Sequence, residues 1–276
     1  MIKIGSQIIK GIILDMDGVL WRGDQPLADL EDIFFQLKEM DLRVMAVTNN
    51  STKTPAFYLD RLSQFGVELE TWQVLNSSEA AGNYLEERFP QGGPVYVVGE
   101  NGLNQALKEK GFYHQSEIGK EEDSILAVVA GMDRELTYRK IERAAELIRS
   151  GIPFIGTNPD KTYPTPEGLS PGAGVVLKAI ETASGVKPLI MGKPRSEIFQ
   201  VALDRMGCSS EEVLMIGDRL ETDIRGAQLA GCRTGLVFSG VTTRKEGENF
   251  RPPPDLMADN IIEMIAMLRE KDEISL

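Results

Sequence analysis

Along the chain, short runs of apolar and β-branched residues alternate with segments whose apolar positions recur every three or four residues. The first pattern fits a strand buried on both faces and the second an amphipathic helix, so the alternation predicts an α/β fold built on a doubly wound parallel sheet. Residues 8–14 read as a strand that stops at Asp15, followed by a helix with Leu30, Ile33, Phe34, Leu37 and Met40 on one face. Residues 43–47 read as a second buried strand ending at Thr48. Thr54 then offers an N-cap with Pro55 at the first helical position, and Gly66 a helix stop.

The rhythm continues through a strand at 95–98, a helix carrying Leu103, Ala106 and Leu107, and a strand at 125–130. Thr137 caps a helix with Ile141, Ala144, Ala145 and Ile148. A strand at 153–156 and a helix at 172–184 follow. Residues 189–191, 195–206, 213–216 and 222–230 then repeat strand, helix, strand, helix, and a last helix is expected near 259–269. Two Pro- and Gly-rich stretches, 91–94 and 157–174, interrupt the pattern. The length of 276 residues suits one large domain or two modest ones, and the pattern alone does not place a cut.

Composition narrows the function. A chain with 42% hydrophobic and 26% charged residues has the makings of an ordinary globular enzyme. Thirty basic against 42 acidic side chains give a net charge of −12, with no Lys/Arg stripe, so nucleic acid is not an expected partner. A small anionic substrate meets the same field, and its site must supply local positive charge. Two cysteines, Cys208 and Cys232, are too few for a disulfide scaffold, lack metal-ligand spacing and read as buried free thiols. His114 is the only histidine, which argues against the common zinc sites and against a Ser-His-Asp triad. The start of the chain lacks a signal-peptide pattern, and the longest apolar run, 125–132, is far short of the ~20 residues that span a bilayer. A cytoplasmic protein without membrane attachment is the expectation.

Four segments place polar residues directly after a buried strand, where an open α/β sheet forms its ligand crevice. Asp15-Met16-Asp17-Gly18 brings two carboxylates together, which at ~4 Å and an effective dielectric of ~20 repel by about 4 kcal/mol unless a cation intervenes. Thr48-Asn49-Asn50-Ser51 offers a hydroxyl, amides and backbone N–H groups ahead of a helix, suited to a phosphate dianion. Gly192-Lys193-Pro194 supplies a point charge, and Gly217-Asp218 is followed by Asp223 inside the next helix, facing back towards its start. Singly, these are a turn, a helix cap, a surface lysine and a helix-dipole carboxylate. In this order they make a kit for phosphoryl transfer, with nucleophile, acid/base, phosphate ligands and cation site on four strand ends.

The four segments resemble the motifs of the haloacid-dehalogenase superfamily, and Thr48-Asn49-Asn50-Ser51, Gly192-Lys193-Pro194 and Gly217-Asp218-Arg219 are similar to its NagD and 4-nitrophenylphosphatase-like subfamily. The resemblance covers nearly the whole chain. It implies a magnesium-dependent phosphatase for small phosphomonoesters, such as a sugar phosphate, nucleotide monophosphate or aryl phosphate. Asp15 would form an aspartyl-phosphate, while Asp17 would protonate the leaving oxygen and then activate water. Magnesium would be held by the Asp15 carboxylate, the Asp17 main-chain carbonyl and Asp218. Thr48, Asn49 and Lys193 would bind the phosphate, and Asp223 would support Lys193 or a metal-bound water. The resemblance also implies a catalytic core of residues 1–77 and 188–276 and an inserted α/β cap at 78–187. The cap's loop at 157–164 would select substrate, with Tyr163 either touching the leaving group or packing on the cap. Homo-oligomer formation stays open. A receiver-like phospho-acceptor and a phosphomutase are the alternatives.

Overall fold

The computed structural model describes residues 1–115, 125–165 and 168–273. Gly11–Leu14 is buried at all four positions, as a strand covered on both faces must be. It pairs in parallel with Val213–Gly217 on one side and Arg43–Thr48 on the other. Val74–Asn76 extends the sheet beyond Arg43–Thr48, and Arg233–Val237 and Leu256–Ala258 extend it beyond Val213–Gly217. The chain therefore enters at the centre, winds outwards one way and returns to wind the other. The crevice of such a sheet opens at the switch between Gly11–Leu14 and Val213–Gly217.

The strand alternation sorts the core. Ile12, Leu14, Val44 and Ala46 pack with Leu30, Ile33, Leu37, Met264 and Leu268 on one face. Ile13, Met45, Val47 and Met215 pack with Ile198, Phe199 and Ala202 on the other. Each fully buried aliphatic or aromatic side chain of this kind contributes about 1.5–3 kcal/mol. Both expected N-caps form: the hydroxyl oxygens of Thr54 and Thr137 accept from Phe57 N at 3.3 Å and Lys140 N at 3.2 Å.

A second parallel sheet runs in the order Leu189–Ile190, Phe154–Gly156, Val128–Ala130, Gly93–Val98, Phe112–His114. Its Val95, Val97, Val129 and Ile155 join the apolar cluster of Ile13 and Met45, so one core runs between the two sheets. Its opposite face, with Val98, Val128 and Ala130, is covered by Ala144, Leu147, Ile148, Val176, Leu177 and Ile180 from helices Tyr138–Arg149 and Ala173–Ser184.

Several elements differ from the sequence expectation. Leu189–Ile190, read as part of the returning alternation, instead forms the edge of the second sheet beside Phe154–Gly156. A two-residue apolar run carries no information about which sheet it joins. Residues 8–14 split: Gln7–Ile8 turns back on Lys3–Ile4, and only Gly11–Leu14 enters the central sheet. The strand expected at 125–130 is Val128–Ala130. The irregular stretch 157–174 holds an antiparallel hairpin, Thr162–Thr165 with Gly168–Pro171, while Pro166 and Glu167 within it lie outside the described residues. Cys232 is a buried free thiol pushed up to about 12 by burial, but Cys208 is only half-buried. Among the described residues no helix is long and apolar enough to cross a membrane.

Candidate active site

Asp15 follows the central strand directly, and its backbone N–H continues the ladder to Ile216 O at 2.9 Å. The same step on the neighbouring strand delivers Asp218, so the two carboxylates flank the switch point. Gly18 bends the chain away at φ +91°, where a Cβ would lie 2.7 Å from Asp218 Oδ2. Only glycine lets the backbone pass that close. Beyond Asp218 the helix opens with a wide turn, Leu220–Ile224, before Arg225–Ala230. That turn swings Asp223 back so that its Oδ2 accepts from Arg219 N at 3.0 Å.

Lys193 is buried among these carboxylates. Its Nζ lies 2.6 Å from Asp15 Oδ1 and 2.8 Å from Asp223 Oδ1, and it donates to Val47 O at 3.0 Å. Burial alone would lower its affinity for a proton, but Asp15 and Asp223 outweigh burial and hold the ammonium above its usual value. The lysine cannot drift, because Asn49 clamps its backbone on both sides. Asn49 Oδ1 accepts from Lys193 N at 2.8 Å and its Nδ2 donates to Lys193 O at 2.9 Å. The same Nδ2 donates to Asp160 Oδ2 at 3.0 Å. The Asn49 side chain is thus occupied in building the site, which leaves its backbone as the part that can meet a ligand.

Asp15, Asp218 and Asp223 each present a carboxylate oxygen within 4.8 Å of the others, all buried. Asp218 Oδ2 accepts from Val241 N at 2.7 Å, whereas Asp218 Oδ1 is buried without a partner among the described residues. Three carboxylates against one ammonium leave two uncompensated negative charges. A hard dication with oxygen ligands fits that deficit and the orphaned oxygen. Burial first, and then Asp223, push the Asp218 carboxyl up to about 7, and burial raises Asp15 well above the usual carboxylate range despite Lys193.

This has a consequence for stability. A folded-state value of about 7 lies above the ~3.9 of the unfolded chain, so between these limits the folded protein binds the extra proton. The cation-free protein should therefore lose stability as pH rises through that window. A cation that replaces the proton should raise Tm more at about pH 8 than at about pH 5. Thermal melts with and without magnesium chloride check this, and equal shifts at both pH values would contradict cation binding in this cluster.

Asp17, Thr48, Asn49, Asn50 and Tyr163 line the same small cleft, of about 50 Å³, with Asp15, Lys193 and Asp223. Burial raises Asp17 against the opposing hydrogen bond from Trp21. The Thr48 hydroxyl oxygen accepts from Asn50 N at 3.1 Å, which turns the loop over the cleft. Tyr163 reaches the cleft from the hairpin on the second sheet's side, alongside Asn50 in the lining. Two residues stood in quoted segments without a role of their own. Asp160 is held by Asn49 and by Asn158 Nδ2 at 2.7 Å, and the half-buried Arg219 is drawn up by Asp160, Asp218 and Asp223 against the pull of burial. Arg219 stood in a quoted motif but without a role. Nothing local in Asn158-Pro159-Asp160 signals a bond to a loop more than a hundred residues earlier.

Comparison with known proteins agrees with this geometry. Residues 12–113 match the family of haloacid dehalogenase-like hydrolases, and residues 190–264 match a HAD-hydrolase-like family. An acid sugar phosphatase of Staphylococcus aureus is 33% identical over 261 residues, 95% of this chain and 98% of that protein. The structure of a p-nitrophenyl phosphatase from Archaeoglobus fulgidus superposes with a TM-score of 0.86 at 29% identity, over 95% of this chain and all of the other. The glycerol phosphate phosphatase Rv1692 from Mycobacterium tuberculosis, solved in complex with magnesium, gives 0.85 at 27% identity, over 97% of this chain and 80% of that one.

Proposed function

Since the chain belongs to the haloacid dehalogenase-like hydrolases and is a phosphatase of their NagD and 4-nitrophenylphosphatase-like branch, we propose that it cleaves small sugar or aryl phosphomonoesters by way of an aspartyl-phosphate on Asp15. The observation that carries this reading is the buried cluster of Asp15, Lys193, Asp218 and Asp223 at the switch point, with Asp17 beside it in the cleft. An Asp15 oxygen attacks phosphorus as the ester P–O bond breaks, and Asp17 gives its proton to the departing alkoxide or phenoxide. Asp17 then takes a proton from the water that attacks the acyl phosphate, releasing phosphate and regenerating Asp15. Lys193, the Thr48 hydroxyl and the Asn49 backbone meet the non-bridging oxygens.

The haloacid dehalogenase-like phosphatases are metal-dependent, and for this chain we assign magnesium to the Asp15 and Asp218 carboxylates and the Asp17 carbonyl. The ion would offset charge on the nucleophile and phosphoryl oxygens. Asp223, ion-paired to Lys193, acts on that lysine. We place the cap at about residues 78–187, with the edge strand Leu189–Ile190 in its sheet, and Tyr163 at its substrate-facing tip.

Phosphate release from a panel of sugar, nucleoside, glycerol and aryl monophosphates tests the reading. Sustained turnover that needs a divalent ion is expected, with EDTA lowering the rate by at least about 10²-fold. A single stoichiometric burst without further release would instead mark a phospho-acceptor, and return of the phosphoryl group to substrate a mutase.

A further inference from the structure

Among the groups that the proposed reaction does not use, Trp21 stands out by its chemistry. It is fully buried, yet its indole Nε1 donates to Asp17 Oδ1 at 3.0 Å. The backbone fixes that meeting, since Asp17 and Trp21 face each other across a single bridge and Gly18 N donates to Trp21 O at 2.8 Å. The ring itself is braced from several sides. Tyr58 lies parallel to it with centroids 6.4 Å apart, Phe65 meets it tilted at 6.4 Å, and the Arg61 guanidinium stands 4.4 Å over it. Arg61 in turn donates to Gly23 O in the turn that follows Trp21.

An indole N–H can only donate. The carboxyl oxygen it meets is therefore the acceptor, and because a carbonyl oxygen accepts more strongly than a hydroxyl oxygen, a neutral Asp17 favours its proton on the other oxygen, Oδ2. Resting on the reading of Asp17 as the proton donor, we propose that Trp21 is a positioning residue that fixes which oxygen of Asp17 delivers the proton to the leaving group. Without the indole N–H the proton occupies either oxygen and the carboxyl rotates, so fewer encounters present it to the leaving oxygen. The penalty falls on esters whose leaving group needs protonation and spares those that depart readily as anions.

The test measures kcat/KM along a series of aryl phosphates from 4-nitrophenyl, an activated leaving group, to phenyl, an unactivated one. Three proteins are compared: wild type, Trp21→Phe, and the protein with Trp21 replaced by benzothienylalanine, which keeps the bicyclic shape and puts sulfur in place of N–H. The benzothienyl protein keeps the test open should the smaller Phe ring disturb the core. Expected is a loss that grows along the series, reaching about tenfold or more for phenyl phosphate and smaller for 4-nitrophenyl phosphate. A uniform loss, or none, in the benzothienyl protein would overturn the positioning role. Asp17→Asn provides the reference. If it steepens the leaving-group dependence while the benzothienyl protein does not, Trp21 alone is misassigned. If Asp17→Asn leaves the dependence unchanged, the proton-donor reading of Asp17 fails and the role of Trp21 fails with it.

Discussion

Replacing Asp15 with Asn is expected to lower turnover by about four orders of magnitude or more, because an amide cannot attack phosphorus as a carboxylate does. The fold should not suffer. The Asn oxygen can still accept from Lys193 Nζ, which now sits 2.6 Å from Asp15 Oδ1, and its NH₂ would face Asp218 and Asp223. Removing one negative charge from a buried cluster with two in excess relieves repulsion, so the cation-free variant should melt at or above the wild-type temperature. Inactivity with undiminished Tm separates a chemical role from a structural one. A marked fall in Tm would show that Asp15 serves mainly to hold Lys193.

Lys193→Met should damage both function and fold. Methionine fills similar volume but leaves Asp15 and Asp223 facing each other with no cation between them. Breaking a buried pair by removing one partner costs about 3–5 kcal/mol. For a chain of this size that corresponds to a Tm lower by roughly 10 °C. The phosphate also loses a charge held in place by Asn49, and kcat/KM should fall by about 10³-fold or more. Magnesium should raise the Tm of the variant by more than it raises that of wild type, because the carboxylates then depend on it entirely. Thermal melts and steady-state kinetics with and without the ion check both points. Equal magnesium shifts in the two proteins would place the ion elsewhere.

Why was so much of this site visible in the chain itself? Asp15, Thr48 and Asp218 each close an apolar run in the central sheet, and a parallel sheet gathers such positions at one edge by its geometry, whereas Lys193 follows the edge strand of the second sheet. Asp223 was legible too, because its place one turn into a helix points it back at the strand end. The remaining parts depend on distances the chain does not announce. Trp21 reads as an ordinary core aromatic until its N–H is seen against Asp17. Asp160 is one unremarked position of the 157–164 loop until Asn49 is found holding it. Leu189–Ile190 is too short to declare its sheet, and the hairpin carrying Tyr163 hides in a Pro- and Gly-rich stretch that reads as loop. Local pattern reveals what a strand delivers to its own end. It is silent on what a second sheet lowers onto it.

The proposed reaction turns on a covalent bond between Asp15 and phosphorus. Rapid acid quench during turnover of an aryl phosphate, reduction with borohydride and peptide mass spectrometry would read it directly, since an acyl phosphate is reduced to the alcohol while a free carboxylate is not. The expected result is conversion of Asp15 to homoserine, formed as fast as the first phenol is released and absent once substrate is exhausted. Phenol and phosphate released together with Asp15 unmodified, or the phosphoryl group found on another residue, would contradict it.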